Sequence, residues 1–152
     1  MNKIIEFECT LKELKVFSKK LALITKVSDI FLLRGDLGAG KTTFARALIN
    51  SLFEYNKVPK PANIKSPSFP IMINYSLLNN EIYHYDLYRI SKLHDLSEIG
   101  IFEEIEKNIY IIEWPEILLK SYIIKNYYLM ELQIISSRKR LIKLFHTTKT
   151  KF

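Results

Sequence analysis

Apolar and polar positions change their period several times along this chain, and each change marks an element. Residues 3–8 set Ile4, Ile5 and Phe7 among charged positions and predict a first strand. Leu11, Leu14, Phe17, Leu21 and Ile24 then recur at three- and four-residue steps, the spacing of an amphipathic helix. Asp29-Ile30-Phe31-Leu32-Leu33 is a short apolar run that predicts a buried strand. From Thr42 to Phe53 an apolar stripe of Phe44, Ala45, Leu48, Ile49 and Leu52 predicts a second helix. Pro59, Pro61, Pro67 and Pro70 lack N–H donors and fix φ, so residues 58–70 form an extended loop. Residues 71–77 alternate, and residues 81–88 follow after Asn79-Asn80, which predicts a β-hairpin. Ile99, Phe102 and Ile105 predict a short helix with an acidic outer face. Ile109-Tyr110-Ile111-Ile112 reads as a central buried strand that ends in Glu113-Trp114-Pro115-Glu116. Residues 127–135 and 141–146 close the chain as a strand pair around Ser136-Ser137. The alternation predicts one α/β domain over residues 1–152. It is a mixed sheet with helices on both faces, an inserted hairpin and a site at the carboxyl ends of the strands.

Composition narrows the class. The chain has 152 residues, 48% of them hydrophobic and 26% charged, which is ordinary for one soluble domain. No apolar run approaches the roughly 18–20 residues needed to cross a bilayer. Glu6 and Glu8 interrupt the apolar residues at the start, so a secretory signal is not expected. A single cysteine, Cys9, excludes an intrachain disulfide and fits a cytoplasmic protein, with the thiol as a small buried side chain on the first strand. The formal charge of +7 is uneven: residues 138–152 hold Arg138, Lys139, Arg140, Lys143, Lys149 and Lys151 and no acid. Such an end suits RNA, an acidic partner or a nucleotide, or else a solvated strand edge and tail.

The strongest chemical signal is Gly35-Asp36-Leu37-Gly38-Ala39-Gly40-Lys41-Thr42, which fits the phosphate-loop pattern G-x-x-x-x-G-K-[ST]. Its glycines let successive N–H groups converge on an anion. Lys41 brings a point charge to the β and γ phosphates, and the Thr42 hydroxyl is a hard oxygen ligand for Mg²⁺. Strand before and helix after are in the correct order, so the helix N-terminus points at the phosphates. Hydrolysis also needs a carboxylate for the metal and a group that orients water. Glu113, closing its strand, is assigned to the metal, and Asp86 to water or the outer metal shell, with the two roles exchangeable. The two-residue period places His84 and Asp86, with Tyr88, on one face of their strand, and His84 reads as a packed, hydrogen-bonded residue. Ser68 in Ser66-Pro67-Ser68-Phe69 offers a hydroxyl on a switch loop sensing the γ-phosphate, or else forms a plain turn. Trp114 is either a core aromatic or a side chain beside the nucleotide.

Together these stretches resemble the TsaE family, small bacterial ATPases of tRNA threonylcarbamoyladenosine biosynthesis. The resemblance rests on residues 35–43, Lys65-Ser66-Pro67-Ser68-Phe69, Ile82-Tyr83-His84-Tyr85-Asp86-Leu87-Tyr88-Arg89, Glu98-Ile99-Gly100 and Ile112-Glu113-Trp114-Pro115-Glu116. Many families share the phosphate loop; the later stretches make the match specific. It implies a nucleotide cradle of Asp36, Leu37, Gly38, Ala39, Gly40, Lys41, Thr42 and Thr43, Mg²⁺ on Thr42 and Glu113, and Asp86 in hydrolysis. It further implies that Trp114 lies by the nucleotide and that Thr10, Arg138 and Arg140 flank the adenine. Such proteins bind ATP and act on a complex of TsaD and TsaB that modifies adenosine 37 of tRNA, so tRNA is met only through that complex. Three departures stand out: Ser68 where the family usually has threonine, Tyr85 where phenylalanine is usual, and no glycine before the final basic residues.

Three other functions compete. A small-molecule kinase shares the loop but needs a lid of arginines, and between the loop helix and residue 137 there are only Arg46 and Arg89. A GTPase needs N-K-x-D, which Asn56-Lys57-Val58-Pro59 fails at the acid. A basic RNA-binding module would hold nucleotide only structurally.

Overall fold

The computed structural model describes residues 1–121 and 124–147, so Lys149 and Lys151 of the basic end lie outside the described residues. The chain runs β1 (Asn2–Cys9), α1 (Leu11–Ala22), β2 (Ile30–Arg34), α2 (Lys41–Tyr55), β3 (Met72–Leu77), β4 (Asn80–Asp86), α3 (Leu93–Glu98), β5 (Ile109–Glu113), α4 (Glu116–Ser121), β6 (Tyr128–Ile134) and β7 (Arg140–His146). All the strands join one sheet in the order β1-β7-β6-β2-β5-β4-β3. The centre is parallel: β2 lies between β6 and β5, and β5 continues to β4. Both margins are antiparallel, through β1–β7–β6 on one side and the β3–β4 hairpin on the other. This is the mixed, helix-covered sheet that the alternation of elements predicts.

Period two divides the core between the sheet's faces. Phe31, Leu33, Ile109 and Ile111 pack with Leu14, Phe44 and Leu48 of α1 and α2. Ile30, Leu32, Tyr110 and Ile112 pack on the opposite face with Leu96 of α3 and Leu118 of α4. β2 and β5 are therefore apolar at successive positions because both of their faces are covered. Each such side chain contributes about 1.5–3 kcal/mol by leaving water. The result is a rigid platform whose parallel strands all end on one rim.

Some expectations change. The short helix expected over Ile99, Phe102 and Ile105 is absent: the helix is Leu93–Glu98, and residues 99–107 are turns. Gly100 (φ 61°) and Phe102 (φ 72°) adopt left-handed conformations that stop a helix, while Ile99, Phe102 and Ile105 still pack on the second core. Successive turns give the same three-residue apolar spacing as a helix. α4 carries too short a pattern to be read from sequence. The hairpin turns at Leu78-Asn79, one residue early, because Leu77 pairs with Asn80. β4 ends at Asp86, so Tyr88 and Arg89 lie beyond the strand. β7 is no solvated edge: it pairs with β1 and β6, and its first residue, Arg140, is 7% exposed. Among the described residues no helix is long and apolar enough to cross a membrane.

Candidate functional site

The loop of residues 35–40 leaves the carboxyl end of β2 and turns into α2. Gly40 caps that helix at φ 108°, and a Cβ there would lie 2.9 Å from the Leu11 side chain. At Gly35 a Cβ would sit 2.4 Å from the Leu132 carbonyl oxygen, so no side chain fits. No side chain caps α2, which leaves its first N–H groups facing the rim. Lys41 folds back and donates to the carbonyls of Gly35 (2.6 Å) and Asp36 (2.9 Å). Its ammonium also lies 3.9 Å from the centre of the Trp114 ring. Burial pushes this ammonium below the usual lysine range, opposed by Glu113, Asp86, Glu116 and Asp36.

Two neighbouring strands deliver the acids. Asp86 and Glu113 are register partners at the ends of β4 and β5, so their side chains share a face. Glu113 is buried and accepts from the Thr42 hydroxyl at Oε2 (2.8 Å) and from His84 Nε2 at Oε1 (2.8 Å). Asp86 accepts from Ser68 Oγ (2.8 Å) and from the Tyr88 N–H (3.0 Å), and Ser66 Oγ lies 2.8 Å from Ser68 Oγ. Two adjacent ligands on an octahedral magnesium, each about 2.0–2.1 Å from the metal, stand roughly 3 Å apart. The Thr42–Glu113 pair already has that spacing and the hard oxygens such an ion prefers.

These groups surround a cleft of about 190 Å³ lined by Leu11, Leu37, Gly38, Gly40, Lys41, Thr42, Thr43, Ser68, Asp86, Glu113 and Trp114. A larger groove of about 350 Å³ between β1 and α1 is mostly apolar, with Ile5, Phe7, Val16 and Phe17 on its walls. The structure thus brings Lys41, Thr42, Thr43, Ser68, Asp86, Glu113 and Trp114 together from four separate stretches of sequence. Trp114 is half-buried at the cleft, 4.8 Å from the Tyr88 ring, and is no core aromatic. Its φ of 56° is a left-handed strain, held by its N–H on the Leu33 carbonyl (3.2 Å).

Other expected site residues stand apart from the cleft. Thr10 is the N-cap of α1, and its hydroxyl accepts from the Glu13 N–H (3.2 Å) in a capping box; its neighbour Leu11 lines the cleft instead. The Asp36 side chain is exposed, while its backbone serves the loop. Arg138 is exposed on the β6–β7 turn. Arg140 is turned to the back of the loop: Nε donates to the Ala39 carbonyl (3.1 Å) and Nη2 to the Gly38 carbonyl (3.1 Å). Nη1 bonds the carbonyls of Ser136 (3.1 Å) and Lys139 (3.2 Å), so the guanidinium is committed to backbone.

These bonds fix the Gly38 and Ala39 carbonyls, and with them the shape of the loop that leads into α2. Arg140→Gln is therefore expected to weaken nucleotide binding about tenfold and to cost about 3 kcal/mol, the lower end for two bonds from a charged donor at about 1.5–3 kcal/mol each. In a domain of this size that is a fall of roughly 6–12 °C in melting temperature. Calorimetric titration and thermal unfolding check both; an unchanged affinity would show that the loop holds its shape without the arginine.

Sequence reading missed three contacts. Arg89 donates to the carbonyls of Ser68 (2.8 Å) and Phe69, pinning the loop that carries Ser68. The arginine that a kinase lid would need is spent there. His84 joins Glu113, and Arg140 grips the loop. His84 is packed and hydrogen-bonded as the sequence leads one to expect, with only its partner, Glu113, unread; the other two contacts have no local signal.

The sequence profile of the family described as "Threonylcarbamoyl adenosine biosynthesis protein TsaE" matches residues 9–142. A tRNA threonylcarbamoyladenosine biosynthesis protein TsaE from Rickettsia typhi is 41% identical over 130 residues, 86% of each chain. A protein of the same name from Aquifex aeolicus is 34% identical over 128 residues, 84% of this chain and 85% of its own. Among solved structures, the crystal structure of Bacillus subtilus YdiB superposes with a TM-score of 0.70 at 22% identity, covering 97% of this chain and 89% of that one. That last similarity establishes the fold alone.

Proposed function

Because this chain belongs to the TsaE family, we propose that it binds ATP with Mg²⁺ in the cleft at α2 and hydrolyses it in the service of tRNA threonylcarbamoyladenosine biosynthesis. We place its action on a complex of TsaD and TsaB, with tRNA reached only through that complex. The observation that carries the chemical part is the Thr42–Glu113 contact of 2.8 Å beside a desolvated lysine.

In this reading the loop amides and the free N–H groups of α2 cradle the phosphates, and Lys41 neutralises charge on the β and γ oxygens. Thr42 and Glu113 hold the magnesium, whose chemistry is to draw charge from the same oxygens. Asp86, buried and already bonded to Ser68, orients the attacking water, and Ser68 carries the γ-phosphate state to the residue 66–69 loop. Trp114 keeps Lys41 in place and shields it from solvent. No observation favours the kinase. For the RNA module, Arg140 is buried and spends its donors on backbone carbonyls, so it is not offered to a phosphate backbone.

Two measurements test the proposal. ATP is expected to change the fluorescence of Trp114, the only tryptophan, and phosphate release should rise when TsaD and TsaB are added. A flat fluorescence response together with no turnover in either condition would overturn the reading. Retention of RNA by the chain, lost steeply with salt and indifferent to ATP, would replace it with the nucleic-acid module.

A further inference from the structure

His84 lies on β4 and is 0% exposed. Its Nε2 stands 2.8 Å from Glu113 Oε1, and its Nδ1 has no hydrogen-bond partner. An ionised carboxylate only accepts, so Nε2 carries the hydrogen and Nδ1 is a bare lone pair. The opposite tautomer would leave an N–H buried without an acceptor, at a cost of about 1–3 kcal/mol. The bond to Glu113 is thus the ring's one polar function. A ring kept only for packing would be better replaced by an apolar side chain. Nor does the ring line the cleft, so it cannot touch water or substrate there.

Glu113 is held at both oxygens, by His84 from the sheet and by Thr42 from the loop. A free glutamate side chain has several rotamers, and these two contacts together select one of them. We infer that His84 is a positioning residue: it fixes the Glu113 carboxylate so that Oε2 faces Thr42 and the two oxygens present a preformed edge to a divalent cation. This inference rests on the reading above, in which Thr42 and Glu113 hold the metal. Groups that orient a ligating carboxylate in this way typically govern metal affinity by 10–100-fold.

The test compares His84→Gln, whose amide nitrogen reaches the Nε2 position, with His84→Leu, which fills the space without a donor. Mn²⁺ binding is followed by electron paramagnetic resonance in the presence of a non-hydrolysable ATP mimic. His84→Leu is expected to weaken Mn²⁺ about tenfold and to lower kcat by a similar factor, with the KM for ATP little changed; His84→Gln should recover most of both. Equal Mn²⁺ affinity in wild type and His84→Leu overturns the inference alone, as does an equal loss in both variants. A wild type that binds no metal with the mimic overturns the underlying reading and this inference with it. Should His84→Leu not fold, nitrogen NMR of the wild-type imidazole decides: the Nε2–H tautomer, lost in Glu113→Ala, supports the inference, and the Nδ1–H tautomer overturns it.

Discussion

Lys41→Ala is expected to lower ATP affinity by two to four orders of magnitude, measured by calorimetric titration with a non-hydrolysable mimic. The ammonium sits inside the loop on the Gly35 and Asp36 carbonyls, so it is already placed where a phosphate oxygen would meet it. Two charge-assisted hydrogen bonds to phosphate are together worth about 3–6 kcal/mol, and each 1.4 kcal/mol is about tenfold in affinity. The folded state should tolerate the change. Burial disfavours the charged form of this lysine, so its removal relieves a desolvated cation. A melting temperature near that of wild type, with ATP affinity gone, is therefore the signature. Affinity kept within tenfold of wild type would mean that the triphosphate is bound elsewhere.

Glu113→Gln is expected to separate binding from turnover. The glutamine keeps the shape of the side chain and an oxygen that can still accept from His84, but it loses the negative charge beside Thr42. Nucleotide affinity should stay within a few-fold, because the loop amides and Lys41 are untouched. Turnover with TsaD and TsaB should fall by about 10²–10³, the usual scale for removing one preorganised electrostatic contact. Glu113→Ala should also fail in hydrolysis, but it strands the buried His84 N–H, while the half-buried Thr42 hydroxyl can turn to water in the cleft. At about 1–3 kcal/mol for an unsatisfied buried group, part of its defect would be a loss of stability. Normal turnover in Glu113→Gln would move the metal acid to Asp86, which shares its rim and register.

The loop, its strand and its helix were legible because they are contiguous: each residue's job depends on neighbours within a few positions. The same is true of the hairpin and of the α1 stripe from Leu11 to Leu21, although Ile24, counted in that stripe, lies beyond the helix and is exposed. Period two also put His84 and Asp86 on one face without any structure. Trouble came where a local pattern had two solutions. Ile99, Phe102 and Ile105 pack on the second core as a helix would, yet Gly100 and Phe102 turn left-handed and the segment is a run of turns. The basic end misled in another way. Its charge count suggested solvent or a ligand, while Arg140 opens an interior strand and spends its donors on backbone.

By itself the sequence determined what kinds of chemistry are present: a phosphate cradle, a lysine, a hydroxyl, and acids at the ends of apolar strands. Only the tertiary structure decided which of them meet. Thr42 and Glu113 are 71 residues apart, Arg140 and Ala39 are 101 apart, and neither separation leaves a periodic trace. Strand order β7-β6-β2-β5-β4 makes those meetings: parallel pairing sets the end of β5 beside the loop that follows β2, and antiparallel pairing with β6 brings the start of β7 to the same rim.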